Sequence, residues 1–192
     1  MSQTARSLGG LSYIGDKRYV RLDTKAIVSG VMLGIVMVLV QQVTSRIDVA
    51  LSGGSFSIVG GITWATVSGL SALLFRQPAG LITGEIQALI GLLTASSPLA
   101  PTFFLSNGLG SLAYTWVATR RRMDTWLDHF LAQLVQNLVG NLMVALALLF
   151  ILHLPLSVVL LSIAVTGGIG AIVSTLLTKP IAESVARSGV AD

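Results

Sequence analysis

The sequence predicts an all-α membrane protein, a compact bundle of six transmembrane helices with both termini in the cytoplasm. Three observations predict it. Of 192 residues, 53% are hydrophobic and only 10% charged, where soluble domains carry roughly 25%, and mean hydropathy is +0.83. Six apolar stretches approach the roughly 20 residues that a bilayer demands, near 26–44, 57–75, 78–95, 101–119, 127–152 and 156–178. The basic residues fall on one side. With the N-terminus inside, that side holds Arg6, Lys17, Arg18, Arg21, Lys25, Arg76, Arg120, Arg121, Arg122, Lys179 and Arg187, eleven of twelve, and only Arg46 lies opposite. Across loops this short, such a bias sets orientation.

The chain divides into a cytoplasmic tail over 1–24, a transmembrane domain over 25–179 and a second cytoplasmic tail over 180–192. The first 25 residues are polar and lack an early apolar core with a cleavage site, so the first hydrophobic segment is expected to stay as an anchor. Residues 1–24 read as a flexible tail or a short surface helix. Net charge is +4 and the pI near 10.0, but these cations mark topology and form no nucleic-acid patch. With no cysteine, disulfides and thiolate metal sites are excluded.

In the first helix Ala26, Gly30 and Gly34 recur every four residues, a flat stripe that another backbone can approach closely. Packing inside the bundle and docking to a separate subunit are both open. The first outer loop, 45–57, carries Asp48 and a Gly-Ser stretch, suited to a lid or to a plain connector. In helix 2, Trp64 reads either as an interfacial anchor or as a platform for a flat ligand. Helix 4 presents Asn107 among Ser106, Gly108 and Gly110, followed by Tyr114.

Helix 5 is the most polar span. Gln133, Asn137 and Asn141 recur at four-residue spacing with Gln136 on the adjoining strip, so four amides line one face. Amides in lipid must be bonded, and the face is expected to look inward. It serves either as glue between helices or as the wall of a ligand cavity, and four amides on one face favour the cavity. Helix 6 offers a close-packing face of small residues, including Gly167, Gly168 and Gly170.

The organising stretch lies between helices 2 and 3. Arg76-Gln77-Pro78-Ala79-Gly80 makes a charged turn, and nine residues past Arg76 stands Glu85 among Leu, Ile, Ala, Gly and Thr. On this reckoning Glu85 is the only ionisable side chain buried in a membrane segment. A carboxylate in hydrocarbon costs several kcal/mol or more, so such a residue is expected to face a cavity and a partner. Glu85 has no second acid or base near it, and no Gly-x-Ser-x-Gly or Walker motif occurs. His129 and His153 stand too far apart for a metal. Charged rings and internal repeats are likewise absent, which argues against a channel or an inverted-repeat transporter. These absences leave a non-enzymatic binding protein inside the membrane, with no cofactor.

The order Arg76-Gln77-Pro78-Ala79-Gly80, Glu85-Ile86, Ala88, then Asn107-Gly108-Leu109-Gly110 and a basic end at Arg120 resembles the substrate-binding S components of energy-coupling factor (ECF) transporters. Within them it is most similar to the thiamin/hydroxymethylpyrimidine type, over about residues 60–122. The resemblance implies a six-helix, multi-pass protein of the cell membrane that captures a vitamin or its precursor from outside. It would hand the ligand to a transmembrane coupling protein and two cytoplasmic ATPases. It also implies that Ala26, Gly30 and Gly34 dock the coupling protein and that loop 45–57 acts as a gate. Glu85 occupies the family's helix 3 glutamate position, and Asn107 its glutamine position. Family members carry further acids where this chain is apolar, near Leu92 and Leu112, so a neutral pyrimidine fits at least as well as cationic thiamin. On this reading Glu85 accepts two hydrogen bonds from an aminopyrimidine, Gln133, Gln136, Asn137 and Asn141 read the rest, and Trp64 or Tyr114 stacks. The alternative is a stand-alone carrier using Glu85 as its proton site.

Overall fold

A computed structural model describes residues 18–52, 57–94 and 99–188. The chain is all-helical over these residues: α1 (Thr24–Ser52), α2 (Ile58–Phe75), α3 (Ala79–Leu93), α4 (Phe103–Arg120), α5 (Trp126–Phe150), α6 (Leu156–Ser162) and α7 (Gly168–Arg187). A π-helical turn, Ile163–Gly167, joins α6 to α7, so the sixth predicted span is one interrupted helix. Four stretches are long and apolar enough to cross a membrane: Thr24–Leu51, Ile58–Phe75, Trp126–Phe150 and Leu156–Arg187. The helix α3, with 15 residues, falls short of that length.

Two boundaries move outward from expectation. Helix α1 runs 29 residues, about 43 Å at 1.5 Å per residue, and absorbs most of the predicted outer loop. Arg46 and Asp48 therefore stand on its last turns, and the remaining Gly-Ser segment of the predicted gate, 53–56, lies outside the described residues. At the other end, α7 continues through Pro180 to Arg187, taking up much of the predicted tail.

The extension of α1 has a purpose visible at Asp48, which is buried. Its carboxylate accepts from Val59 N at 2.7 Å, Gly60 N at 2.8 Å and Ser57 Oγ at 3.3 Å. These amides belong to the first turn of α2, whose donors have no intrahelical partners. Asp48 thus caps α2 from a neighbouring helix, with its charge at the positive end of the dipole. Asp48→Ala is expected to cost about 1–2 kcal/mol, read as a lowered midpoint of reversible unfolding in mixed micelles. Asp48→Asn should recover part of the loss.

Helix α2 is the central element, touching α1, α3, α4, α5, α7 and the π turn. It is apolar all round and rich in small residues (Gly60, Ala65, Ser68, Gly69, Ser71 and Ala72), the pattern of a helix enclosed on every side. In contrast α1 buries one face and leaves Val28, Met32, Ile35, Leu39 and Val43 exposed on the other.

Residues 1–17 of the predicted tail lie outside the described residues, and the part that is described, 18–23, is neither free nor helical. Residues 18–23 run extended under the α2–α3 turn, with Arg21 N donating to Gln77 O (2.7 Å) and Gln77 N to Tyr19 O (3.1 Å). The Tyr19 hydroxyl donates to Leu112 O of α4 at 2.8 Å. Burial pushes this phenol up from its ordinary range, partly opposed by Arg120. Asp23 then starts α1 by accepting from Ala26 N at 2.8 Å. That bond, with help from Arg21, holds its carboxyl below the usual range. At the turn itself Arg76 adopts φ 64°, a left-handed conformation that side chains rarely take.

Candidate functional site

The eight residues expected to bind a ligand fall into three groups. The first lies along the α3–α4 seam. Asn107 Nδ2 donates to Gly84 O at 2.9 Å and to Gln87 Oε1 at 2.6 Å, so its amide ties the two helices together. Glu85 is half-buried beside it, and a Cβ on Gly108 would stand 2.8 Å from Glu85 Oε1. Only a glycine lets the carboxylate lie this close to α4. Among the described residues no hydrogen bond or ion pair engages that carboxylate. Gln87, two residues on, was not singled out from the sequence; an amide in an apolar helix was the available signal.

The expectation that Glu85 is the only ionisable side chain buried in a membrane segment is corrected: within the predicted spans Asp128 and His129, at the start of α5, are also buried. Asp48, Arg76, Asp128, His129 and Lys179 are all more deeply buried. They sit at helix ends, where folding encloses side chains that a span count assigns to loops and interfaces. His129, for example, is held by a 2.9 Å bond between Nε2 and Met123 O.

The second group surrounds Gly69 at the centre of the bundle. A Cβ there would meet Gln133 Nε2 at 2.6 Å, Tyr114 Cε2 at 3.2 Å and Gln136 Oε1 at 3.3 Å, so α4 and α5 both converge on α2. Trp64, one turn away, is only 8% exposed. Its ring is wedged between Gly110 of α4 and Gly140 of α5, with Cη2 2.8 Å and 2.6 Å from where their Cβ atoms would be. The indole is therefore neither a lipid-facing anchor nor an open platform along that edge.

The third group continues along α5. Asn137 Nδ2 donates to Gln133 O (2.8 Å) and Asn141 Nδ2 to Asn137 O (2.9 Å), while Thr166 of the π turn donates to Asn141 Oδ1 at 3.1 Å. Asn137 Oδ1 faces Gly170 of α7.

The glutamine donors hold helices together. Gln133 Nε2 bonds Ala65 O at 3.2 Å and Thr178 Oγ1 at 2.9 Å, and Gln136 Nε2 bonds Ser68 Oγ at 2.5 Å. Interhelical adhesion thus uses the amide nitrogens. The carbonyls Gln133 Oε1 and Gln136 Oε1, together with Trp64 Nε1 and Thr66 Oγ1, are buried without hydrogen-bond partners among the described residues. A buried polar atom left unpaired costs about 1–3 kcal/mol, so these atoms are the interior's strongest invitation to a hydrogen-bonding guest. Acceptors and donors thus lie over Gly69 and beside Trp64, and the Glu85 carboxylate lies on the α3–α4 seam. Among the described residues no group of His, Asp and Glu stands close enough to hold a metal.

The small-residue stripe is also placed. A Cβ on Gly30 would stand 2.8 Å from Ala79 O and one on Gly34 2.9 Å from Ile86 Cβ, and Ala26 is fully buried. The expected docking of Ala26, Gly30 and Gly34 to a separate subunit gives way to internal packing, because α3 already occupies that face. Compared with known proteins, the chain matches no family model, no curated protein sequence and no solved structure.

Proposed function

We propose that the chain is the S component of an ECF-type importer, a six-span subunit of the cell membrane with both termini cytoplasmic. It captures hydroxymethylpyrimidine, thiamin or a related small vitamin from outside and works with a coupling protein and two ATPases. The observation that carries this reading is the meeting of the motif residues. Glu85 lies some twenty positions before Asn107 and Gly108 in sequence, yet the three share the α3–α4 seam. Glu85 supplies an acceptor pair for an aminopyrimidine, and the unpaired Gln133, Gln136 and Trp64 atoms supply complementary groups deeper in the bundle. The chain binds its ligand and leaves ATP hydrolysis to its partners.

Calorimetric titration of the purified protein with hydroxymethylpyrimidine and thiamin tests this. Loss of a charge-assisted hydrogen bond removes about 1.5–3 kcal/mol, so Glu85→Gln is expected to weaken binding at least tenfold. Unchanged affinity would remove Glu85 from the site. The second reading, a stand-alone carrier, draws on the absence of a bonded cation at Glu85 among the described residues. Uptake by the purified chain alone in vesicles, driven by a pH gradient and lost in Glu85→Gln, would favour it over the importer.

A further inference from the structure

A groove on the outer side of α5 and α7 is used by none of the roles above. Trp126, Leu127 and Phe130 form one wall and Ile172, Thr175 and Leu176 the other, around a shallow open recess of about 410 Å3. Its surface is carbon, since the single hydroxyl, Thr175 Oγ1, is turned to Ala171 O at 2.7 Å. Trp126, Leu127, Ile172 and Leu176 are 51–61% exposed. A recess of this kind holds one hydrocarbon chain by contact on two sides, which a smooth helix face does not offer.

The groove has a polarity along its length. Lys179 Nζ stands 5.2 Å from the centroid of the Trp126 ring. Arg121 Nη1 is 3.8 Å from Asp128, next in sequence to Leu127. Arg187 acts on Glu183, the partner of Lys179, and Arg122 is exposed. Asp128 and Glu183 are each paired to one of these four cations, and with exposed Asp124 counted the end holds four cations to three acids, an excess of one positive charge. From there Trp126 to Phe130 on α5 and Leu176 to Ile172 on α7 run the other way into apolar surroundings. A charged head at one end and an apolar track leading from it is the complement of a phospholipid with a negative headgroup. Basic pockets between membrane helices take anionic lipids on these grounds.

We infer that the α5–α7 groove binds one anionic phospholipid, its acyl chain along Phe130 and Ile172 and its phosphate among Arg121, Arg122, Lys179 and Arg187. The site needs only residence in a bilayer. It stands or falls independently of the vitamin ligand, because lipid retention is read without any substrate.

The test uses the full chain in nanodiscs of equal parts phosphatidylglycerol and phosphatidylcholine, released and weighed by native mass spectrometry. One phosphatidylglycerol should be retained at least tenfold over phosphatidylcholine. Each surface cation contributes about fivefold to such a preference. Arg122→Gln with Arg187→Gln, which leaves both ion pairs intact, should therefore erase most of it. Leu176→Trp, which fills the groove, should abolish retention while the protein stays monodisperse. Equal retention of the two lipids, or a preference unchanged in both variants, would overturn the site. So would a photo-crosslinker at Leu127 that captures a polypeptide in native membranes instead of lipid.

Discussion

Trp64→Ala is expected to lower stability by about 3–5 kcal/mol, the range for emptying a packed aromatic site. The indole is the piece around which four helices meet. It packs with Met37 of α1 and Ala65 of its own helix and is clasped by Gly110 and Gly140. Inside a bilayer the gain from leaving water is absent, because lipid tails are as apolar as leucine. The loss is one of contact, since the void left behind has no atoms on one side. Glycines at 110 and 140 make that loss hard to recover, for neither has a side chain that can swing into the gap. Unfolding in dodecylmaltoside titrated with dodecyl sulfate and followed by far-ultraviolet dichroism would measure it. A cost below about 1 kcal/mol would mean that the ring lies in the lipid belt after all. Trp64→Phe should fall between the two.

Gln77→Ala is expected to cost about 2–4 kcal/mol and to free the N-terminal strap. Gln77 is 4% exposed. Its amide nitrogen donates to Ser111 O (3.1 Å), Ser111 Oγ (3.0 Å) and Thr115 Oγ1 (2.8 Å), while its Oε1 accepts from Leu81 N at 3.0 Å. One side chain thus joins the α2–α3 turn, the first turn of α3 and the inner face of α4. Its backbone holds residues 19 and 21 as well. Single hydrogen bonds between membrane helices average only about 0.6 kcal/mol. Truncating this residue strands several buried groups at once, each at about 1–3 kcal/mol, so the stranded groups dominate the estimate. Trypsin should then cut at Arg18 and Arg21 faster than in the parent protein. Cutting at an unchanged rate with an unchanged unfolding midpoint would show that the strap is held elsewhere.

Gln77 also illustrates how legible the chain was. In sequence it was one letter of a motif turn, and nothing marked it as a hub. Its importance arises from Ser111 and Thr115, which lie more than thirty positions away. Asp48 is a similar case. Sequence placed it in a loop, whereas an extra length of helix carries it over the end of α2. For Trp64 two readings were open; its burial decided against the lipid-facing anchor, and the facing glycines close one edge of the ring. The amides of α5 were rightly expected to face inward. The division of labour in Gln133 and Gln136, nitrogens bonded across helices and oxygens unpaired among the described residues, depends on Ala65, Ser68 and Thr178.

What the sequence determined by itself is the class: a helical chain of apolar spans separated by short polar or charged turns. Hydropathy, span length and the position of lysine and arginine are local properties, and no folding is needed to read them. What only the tertiary structure decided is direction: which face of α1 meets α3, which edge of Trp64 is enclosed, and that Glu85 sits on the α3–α4 seam while Gln133 and Gln136 sit over Gly69. In water a helix declares its buried face by its polarity. In lipid both the core and the surroundings are apolar, so Gly30 facing Ala79 and Val28 facing outward look alike until the neighbouring helix is in place.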